Sequence, residues 1–141
     1  MKPKTKSKNE MNISYTVNHD VKPTELATLF KNSGIHRPND ISRIGKMIAN
    51  ANIIISARDN LRLVGVLRGI TDFSYCCYVS DLAVDHKYKH KGIGKELLRI
   101  AQNTLGSEVM ILLLSSPEAE LFYPKVGFEK IQNAWLMPRK K

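Results

Sequence analysis

The chain has 141 residues and a mass of 16.0 kDa, the material of about one domain. Its 22 Lys and Arg against 13 Asp and Glu give a formal charge of +9, and 43% of its residues are hydrophobic. This composition supports one packed core and excludes a multidomain enzyme, a disordered chain, a disulfide scaffold and a membrane protein.

A basic excess of this size invites a nucleic-acid partner, so its placement matters. Residues 1–10 hold four Lys and one Glu, and Arg139, Lys140 and Lys141 end the chain; these two stretches carry six of the nine positive charges. The first ten residues contain no large apolar side chain and are expected to form a basic disordered tail, leaving 11–141 as a single domain. They also lack the apolar run of a secretory signal, and no stretch reaches the roughly 20 apolar residues of a membrane span. Cys76 and Cys77 are the only cysteines; adjacent on a strand, they would face opposite ways. No shared metal site or bridge is expected from them, and free thiols fit a cytoplasmic protein.

In chain order, 13–19 alternates apolar and polar residues and reads as a first strand. Pro23 and Thr24 open a helix whose Leu26, Leu29 and Phe30 share a face, with Gly34 as its stop. Asp40 can cap a second helix in which Ile41, Ile44, Ile48 and Ala51 recur at helical spacing. Strands follow at 53–57 and 63–69, joined by a turn at Asp59-Asn60, and then at 75–84. A basic, Gly-containing loop leads into a helix from Gly94 to about Leu105, with Leu97, Leu98, Ala101 and Leu105 on its apolar face. VMILLL at 109–114 is too apolar for a half-exposed strand and should be flanked by strands and covered on both faces. A helical turn near 118–125 and a final strand pair near 128–139 complete an α/β domain with a mixed sheet.

The strongest local signal is LAVDHKYKHKGIGKELL at 82–98: a strand exit, a basic loop, two glycines and a helix start. Glycines let backbone N–H groups approach a ligand, and the helix adds unpaired N–H groups and the positive end of its dipole. A phosphate or pyrophosphate fits such a place, and Lys87, Lys89, Lys91 and Lys95 could add charge. A purely structural turn explains the glycines equally well, and Lys89 alone reads equally as a solvated side chain. The run is neither a P-loop nor a GxGxxG dinucleotide turn.

These residues resemble the acyl-CoA-binding motif of the GCN5-related N-acetyltransferase (GNAT) family, Arg or Gln, two residues, Gly, one residue, Gly or Ala. Lys89 stands at the Arg or Gln position, and Gly92 and Gly94 match. AELFYPKVGFEK at 119–130 is similar to the family's C-terminal signature, a Tyr before a Lys-x-Gly-Phe turn. The resemblance spans roughly 13–137 and implies a GNAT-like acyl-CoA N-acyltransferase fold, a central mixed and splayed sheet flanked by helices. It implies acetyl-CoA as acyl donor, with no metal. The pyrophosphate would lie on backbone N–H groups from His90, Lys91, Gly92, Ile93, Gly94 and Lys95, with Lys89 beside them. The pantetheine arm would run along Leu82, Ala83 and Val84, and the thioester would lie in a gap between 78–84 and 109–115.

By the same resemblance Tyr123 is the general acid for the departing thiolate; the alternative is an aromatic packed with Phe122 and Phe128. Asp81 could accept a proton, directly or through water, attract a cationic amine, or serve as a structural carboxylate. A strand bulge would decide whether Asp81 or Leu82 sees the cleft. His86 and His90 lie on the phosphate side and are not assigned as base. His36, Arg37, Asp72, Phe73 and Trp135 are the acceptor-site candidates, with 34–39 as a flap over the acceptor. The expected reaction moves an acetyl group to a primary amine, of a small molecule in preference to a protein N-terminus because so short a chain leaves little material for a peptide groove. The competing readings are a CoA-binding protein without turnover and a basic nucleic-acid-binding module. A specific nucleic-acid partner and a membrane are not expected, and either a monomer or a homodimer fits.

Overall fold

The computed structural model describes residues 12–141, so the basic tail expected at 1–10 lies outside the described residues. Among the described residues, five strands form one sheet in sequence order: β1 (Ile13–Val17), β2 (Ile53–Asp59), β3 (Arg62–Thr71), β4 (Cys76–Val84) and β5 (Met110–Leu113). The first four pair antiparallel, and β5 joins β4 in parallel. The sheet is mixed and flanked by helices, the GNAT-like architecture. The parallel step requires a crossover, supplied by α3 (Ile93–Leu105).

Helix α1 (Pro23–Ser33) begins with proline in its first turn, where a missing N–H costs nothing, and stops at Gly34 with φ +81°. Glu25 in its first turn accepts from Lys22 N and takes a bidentate pair from Arg58 at 2.7 and 2.8 Å. The Arg58 guanidinium holds the Glu25 carboxyl below its ordinary range and tethers α1 to β2. Helix α2 (Ile41–Asn50) is capped by Asp40, which accepts from Ser42 N at 2.9 Å.

Each face of the sheet has its own core. Leu26, Leu29, Phe30, Ile44 and Ile48 of α1 and α2 pack on Ile54, Leu63, Val66 and Ala83. On the other face, Ile93, Leu97, Leu98, Ala101 and Leu105 of α3 pack on Ile53, Ile55, Leu67, Cys77 and Val79. Burying a Leu or Ile side chain stabilises by roughly 1.5–3 kcal/mol, so these two layers supply most of the driving force that holds the helices. Cys77 is buried and Cys76 exposed, as alternation along β4 requires.

Two expectations fail at the C-terminal end. Among the described residues strand β5 pairs only with β4, and its four residues are half-buried or exposed, not enclosed between strands. The final strand pair expected near 128–139 does not form; from Phe128 onward the chain has no regular secondary structure, and residues 129–141 are all exposed. The apolar pattern of 109–114 was read from side chains alone, whereas enclosure needs a neighbouring backbone on each side.

Candidate functional site

The cleft arises where β4 and β5 part. Their pairing runs from Cys76 opposite Met110 to Val79 opposite Leu113 and then ends, while β4 continues to Val84. The edge of Ser80–Val84 that faces away from β3 is therefore left without a strand partner among the described residues. Unpaired strand edges offer a row of N–H and C=O groups to an extended ligand. Leu82, Ala83 and Val84 lie on this edge.

A bulge determines what the edge presents. Arg68 stands opposite Asp81 and Gly69 opposite Val79, leaving Ser80 as the extra residue. Before it, Cys77 and Val79 face the α3 layer; after it, Ala83 belongs to the α1–α2 layer. Asp81 is turned to that second side and is fully buried, at 0% exposure. Its Oδ1 accepts from Arg37 Nε and its Oδ2 from Arg68 Nε, both at 2.5 Å. Arg37 also donates to Ser80 O at 2.6 Å, and Arg68 to Ser80 Oγ at 3.0 Å. Both oxygens of Asp81 are thus committed to guanidinium groups.

The loop after β4 is built around a second buried carboxylate, Asp85, at 2% exposure. It accepts from Lys87 N at 2.9 Å and pairs with Arg62 at 3.0 Å, fixing the single 3-10 turn His86–Tyr88. The Tyr88 hydroxyl donates to Asp59 Oδ2 at 2.6 Å, which raises its pKa. Lys89 Nζ donates to Ser33 O at the C-terminal end of α1, 3.2 Å away. That amine is engaged by a helix terminus of favourable sign. His90 then adopts φ +64° and Gly92 φ +83°, the left-handed conformation that a side chain disfavours.

Gly92 caps α3 without a side chain, and no side-chain cap bond forms there. The first intrahelical bond is Glu96 N to Gly92 O, so the N–H groups of Ile93, Gly94 and Lys95 precede the helical ladder. Lys91 and Lys95 are exposed beside them. Three convergent donors, the helix dipole and two ammonium groups suit an anion.

The short helix α4 (Phe122–Lys125) brings the second motif to the same place. A Cβ on Gly94 would stand 3.4 Å from Phe122 Cζ and 3.9 Å from Val84 Cγ2. Loop, strand edge and α4 therefore meet around Gly94. Tyr123 is half-buried, edge-on to Phe122 at 5.2 Å and to Phe128 at 5.5 Å between ring centroids. Burial pushes its phenol pKa above 10.0, so the hydroxyl is protonated at neutral pH. Tyr123 also lines a cavity of about 1230 Å³ along the outer edge of β5, with Leu113, Phe128 and Ile131.

The acceptor candidates do not converge. Arg37 reaches the bulge of β4, where it donates to Ser80 O, and it also donates to the neighbouring His36 O at 2.6 Å. Asp72 and Phe73 lie in the turn at the opposite end of β4; Asp72 accepts from the N–H groups of Ser74, Tyr75 and Cys76, which depress its pKa from 3.8 to about 2. Its carboxylate closes the turn. Trp135 lies in the C-terminal segment at 97% exposure. Sequence reasoning missed Arg68, Asp85 and Tyr88. A lone Arg in the apolar run LVGVLRG was the available signal, because a buried guanidinium needs an acid opposite it. Among the described residues, no group of three or more His, Cys, Asp or Glu is placed to hold a metal, and no helix is long and apolar enough to cross a membrane.

Comparison with known proteins agrees with this geometry. The family model for the acetyltransferase (GNAT) domain matches residues 23–136. Probable acetyltransferase TAP2 from Glycine max is 25% identical over 133 residues, covering 83% of this chain; the chain spans about half, 52%, of that relative. Among solved structures, SA2161 from meticillin-resistant Staphylococcus aureus, described as a probable acetyltransferase, superposes with a TM-score of 0.81 at 21% identity, covering 92% of this chain and all of that one. Aminoglycoside N-acetyltransferase AAC(6')-Iy in complex with CoA superposes with a TM-score of 0.71 at 13% identity, covering 96% of this chain and 99% of that one. At these identities the structural matches establish the fold, while the family model spans most of the sequence and both motifs. The chain belongs to the GNAT acetyltransferase family.

Proposed function

We propose that this protein is an N-acetyltransferase that moves the acetyl group of acetyl-CoA to a primary amine of a small molecule, by direct attack in a ternary complex. The observation that carries this reading is the junction at Gly94, where an unpaired strand edge, an uncapped helix N-terminus and the Tyr123 helix meet. In the proposed pose the N–H groups of Ile93, Gly94 and Lys95 receive the pyrophosphate, aided by His90, Lys91 and Gly92 of the loop. Leu82, Ala83 and Val84 pair with the pantetheine arm in the manner of a strand. Lys89 contributes indirectly, by tying the loop to the end of α1.

The thioester supplies an activated acyl carbon. The amine nitrogen must present a free lone pair to it, and the C–S bond breaks as the C–N bond forms. Tyr123 donates its proton to the departing sulfur, and the proton released by the attacking nitrogen passes through water to restore the phenol. A phenol of raised pKa suits this work, because it transfers a proton only as negative charge develops. For Asp81 the two arginines favour a positioning role over that of general base: it holds Arg37, and with it the 34–39 segment, over the bulge. His36 and Arg37 then border the acceptor; Asp72, Phe73 and Trp135 have no part in this pose. We further propose a basic tail at 1–10 followed by a single domain, a cytoplasmic location in keeping with the free thiols, and no specific nucleic-acid partner.

The deciding experiment presents acetyl-CoA with small amines and with peptides bearing free N-termini, at several pH values, and follows thiol release. Release with a small-amine class is the expected result. Release with peptides alone would reassign the acceptor. Tight acetyl-CoA binding with no release from any amine would favour a CoA-binding protein without turnover, a reading to which the ion-paired Asp81 lends weight.

A further inference from the structure

In the proposed pose the donor comes to the sheet from the side of α3. The acceptor then has the opposite face, that of α1 and α2, and these helices leave part of it bare. Cys77 and Val79 of β4 pack toward α3, so alternation turns Tyr78 the other way. Ile70 of β3 stands opposite Tyr78 on one side and Leu112 of β5 on the other, with Met110 two residues before Leu112. Ile70 is 53% exposed, Tyr78 39% and Met110 58%, and Leu112 is half-buried. Three adjacent strands thus present one continuous apolar patch.

The patch runs up to the point where β4 and β5 part. Their pairing ends at Val79 and Leu113, one residue beyond Tyr78 and Leu112, and the bulge at Ser80 follows. Two residues before Ile70, β3 carries Arg68 on the same face. At this inner end two guanidinium groups, Arg37 and Arg68, surround the one carboxylate of Asp81, an excess of one positive charge. At the outer end stands Asp72, whose carboxylate is taken by the N–H groups of Ser74, Tyr75 and Cys76. That turn begins about 13 Å along β4 from the bulge, at ~3.3 Å per residue. Asp40, on the α2 side, is committed to the cap of its helix. A second cation on a short acceptor would therefore meet like charge at one end and apolar surface at the other, which weakens binding. The same excess of positive charge favours the neutral amine, the form that holds the attacking lone pair.

We propose that the acceptor is a primary monoamine on an apolar alkyl or aryl body, and that Tyr78, Ile70, Met110 and Leu112 select it. This rests on the reading of the protein as an N-acetyltransferase. The nitrogen lies at the bulge, beside the parting of β4 and β5, and the body lies outward across Tyr78. Polyamines and amino sugars, which bring further cations or hydroxyls onto this face, are rejected by it.

Calorimetry of straight-chain amines into the full chain, with CoA and without it, reads the selection apart from turnover, because CoA has no acetyl group to give. Affinity should rise about two- to fourfold per added methylene from propylamine to pentylamine. The diamine 1,5-diaminopentane, of matched length but with a second cation, should bind about tenfold more weakly than pentylamine. Tyr78→Ser and, on the neighbouring strand, Ile70→Thr should each weaken pentylamine about three- to tenfold, with circular dichroism and CoA affinity unchanged. A diamine bound as tightly as pentylamine, no dependence on chain length, or full affinity in both variants would overturn the proposal. Thiol release from acetyl-CoA separates it from the reading beneath it. Release with 1,5-diaminopentane in preference to pentylamine would keep the transferase and overturn the proposal. Selective binding of pentylamine with no release from any amine would keep the apolar amine site and overturn the transferase. A second copy seated on this face would give twice the 16.0 kDa of one chain in light scattering, and the single-chain mass for Tyr78→Ser, which would also overturn the proposal.

Discussion

At Asp81, two guanidinium groups occupy the two carboxylate oxygens, one from β3 and one from the segment between α1 and α2. A buried ion cluster contributes little net stability while intact, but breaking it leaves uncompensated charge and costs about 3–5 kcal/mol. Asp81→Asn should therefore lower unfolding free energy by about that amount in urea titrations. A loss below about 1 kcal/mol accompanied by lost turnover would return Asp81 to the role of proton acceptor. Tyr123 behaves differently, because it is held by rings on two sides and not by polar partners. Tyr123→Phe keeps that packing and removes one oxygen. Steady-state kinetics should show kcat reduced about 100-fold, with KM for acetyl-CoA changed by no more than about twofold. An unchanged kcat would remove the general-acid role. The raised phenol pKa also means that any loss of rate from ionisation of Tyr123 comes at higher pH than for an ordinary phenol.

The element on which the site depends is the turn from β4 into α3. Gly92 has open space around its absent Cβ and φ +83°, so conformation and not volume demands glycine there. Gly92→Ala costs about 1–2 kcal/mol of backbone strain in the left-handed region. Relief of that strain would rotate the N–H groups of Ile93 and Gly94 away from convergence. Calorimetry should then show acetyl-CoA affinity about tenfold weaker while the sheet and both cores persist. Equal affinity in the variant would mean that the pyrophosphate is held elsewhere. Most of this element was legible beforehand: glycine spacing, the basic loop and the apolar face of α3 are local patterns. Whether a bulge forms beside Asp81 stayed open in the sequence, because a bulge is defined by the register of two strands. Nor could the sequence show that Lys89 reaches Ser33 or that Asp85 faces Arg62, contacts made across 56 and 23 residues of chain.

In the whole molecule, two core layers grip one sheet, and the sheet opens at β4 and β5, where they would meet across the ligand. A ligand seated there binds the folded form alone, so acetyl-CoA at about 100 times its Kd should stabilise by ~2.7 kcal/mol. For a chain of this size that corresponds to a rise in thermal midpoint of roughly 5–10 °C. Differential scanning fluorimetry with acetyl-CoA, and with duplex DNA as control, measures this. A shift with DNA and none with acetyl-CoA would favour the nucleic-acid reading that the net charge first suggested.

That charge separates what each level determined. The sequence by itself placed six of the nine positive charges at the chain ends. It also placed the glycine-bearing turn, the Tyr-bearing signature and the α/β element order, because each depends on neighbours within a few residues. Tertiary structure decided the roles of single side chains. Asp81 is buried between Arg37 and Arg68, Asp72 closes a turn and Trp135 is exposed, and none of these surroundings follows from the residue type alone. Strand β5 marks the boundary between the two levels. Its apolar pattern is a local property, but enclosure by strands on both sides requires another backbone, which the rest of this chain does not supply in the described conformation.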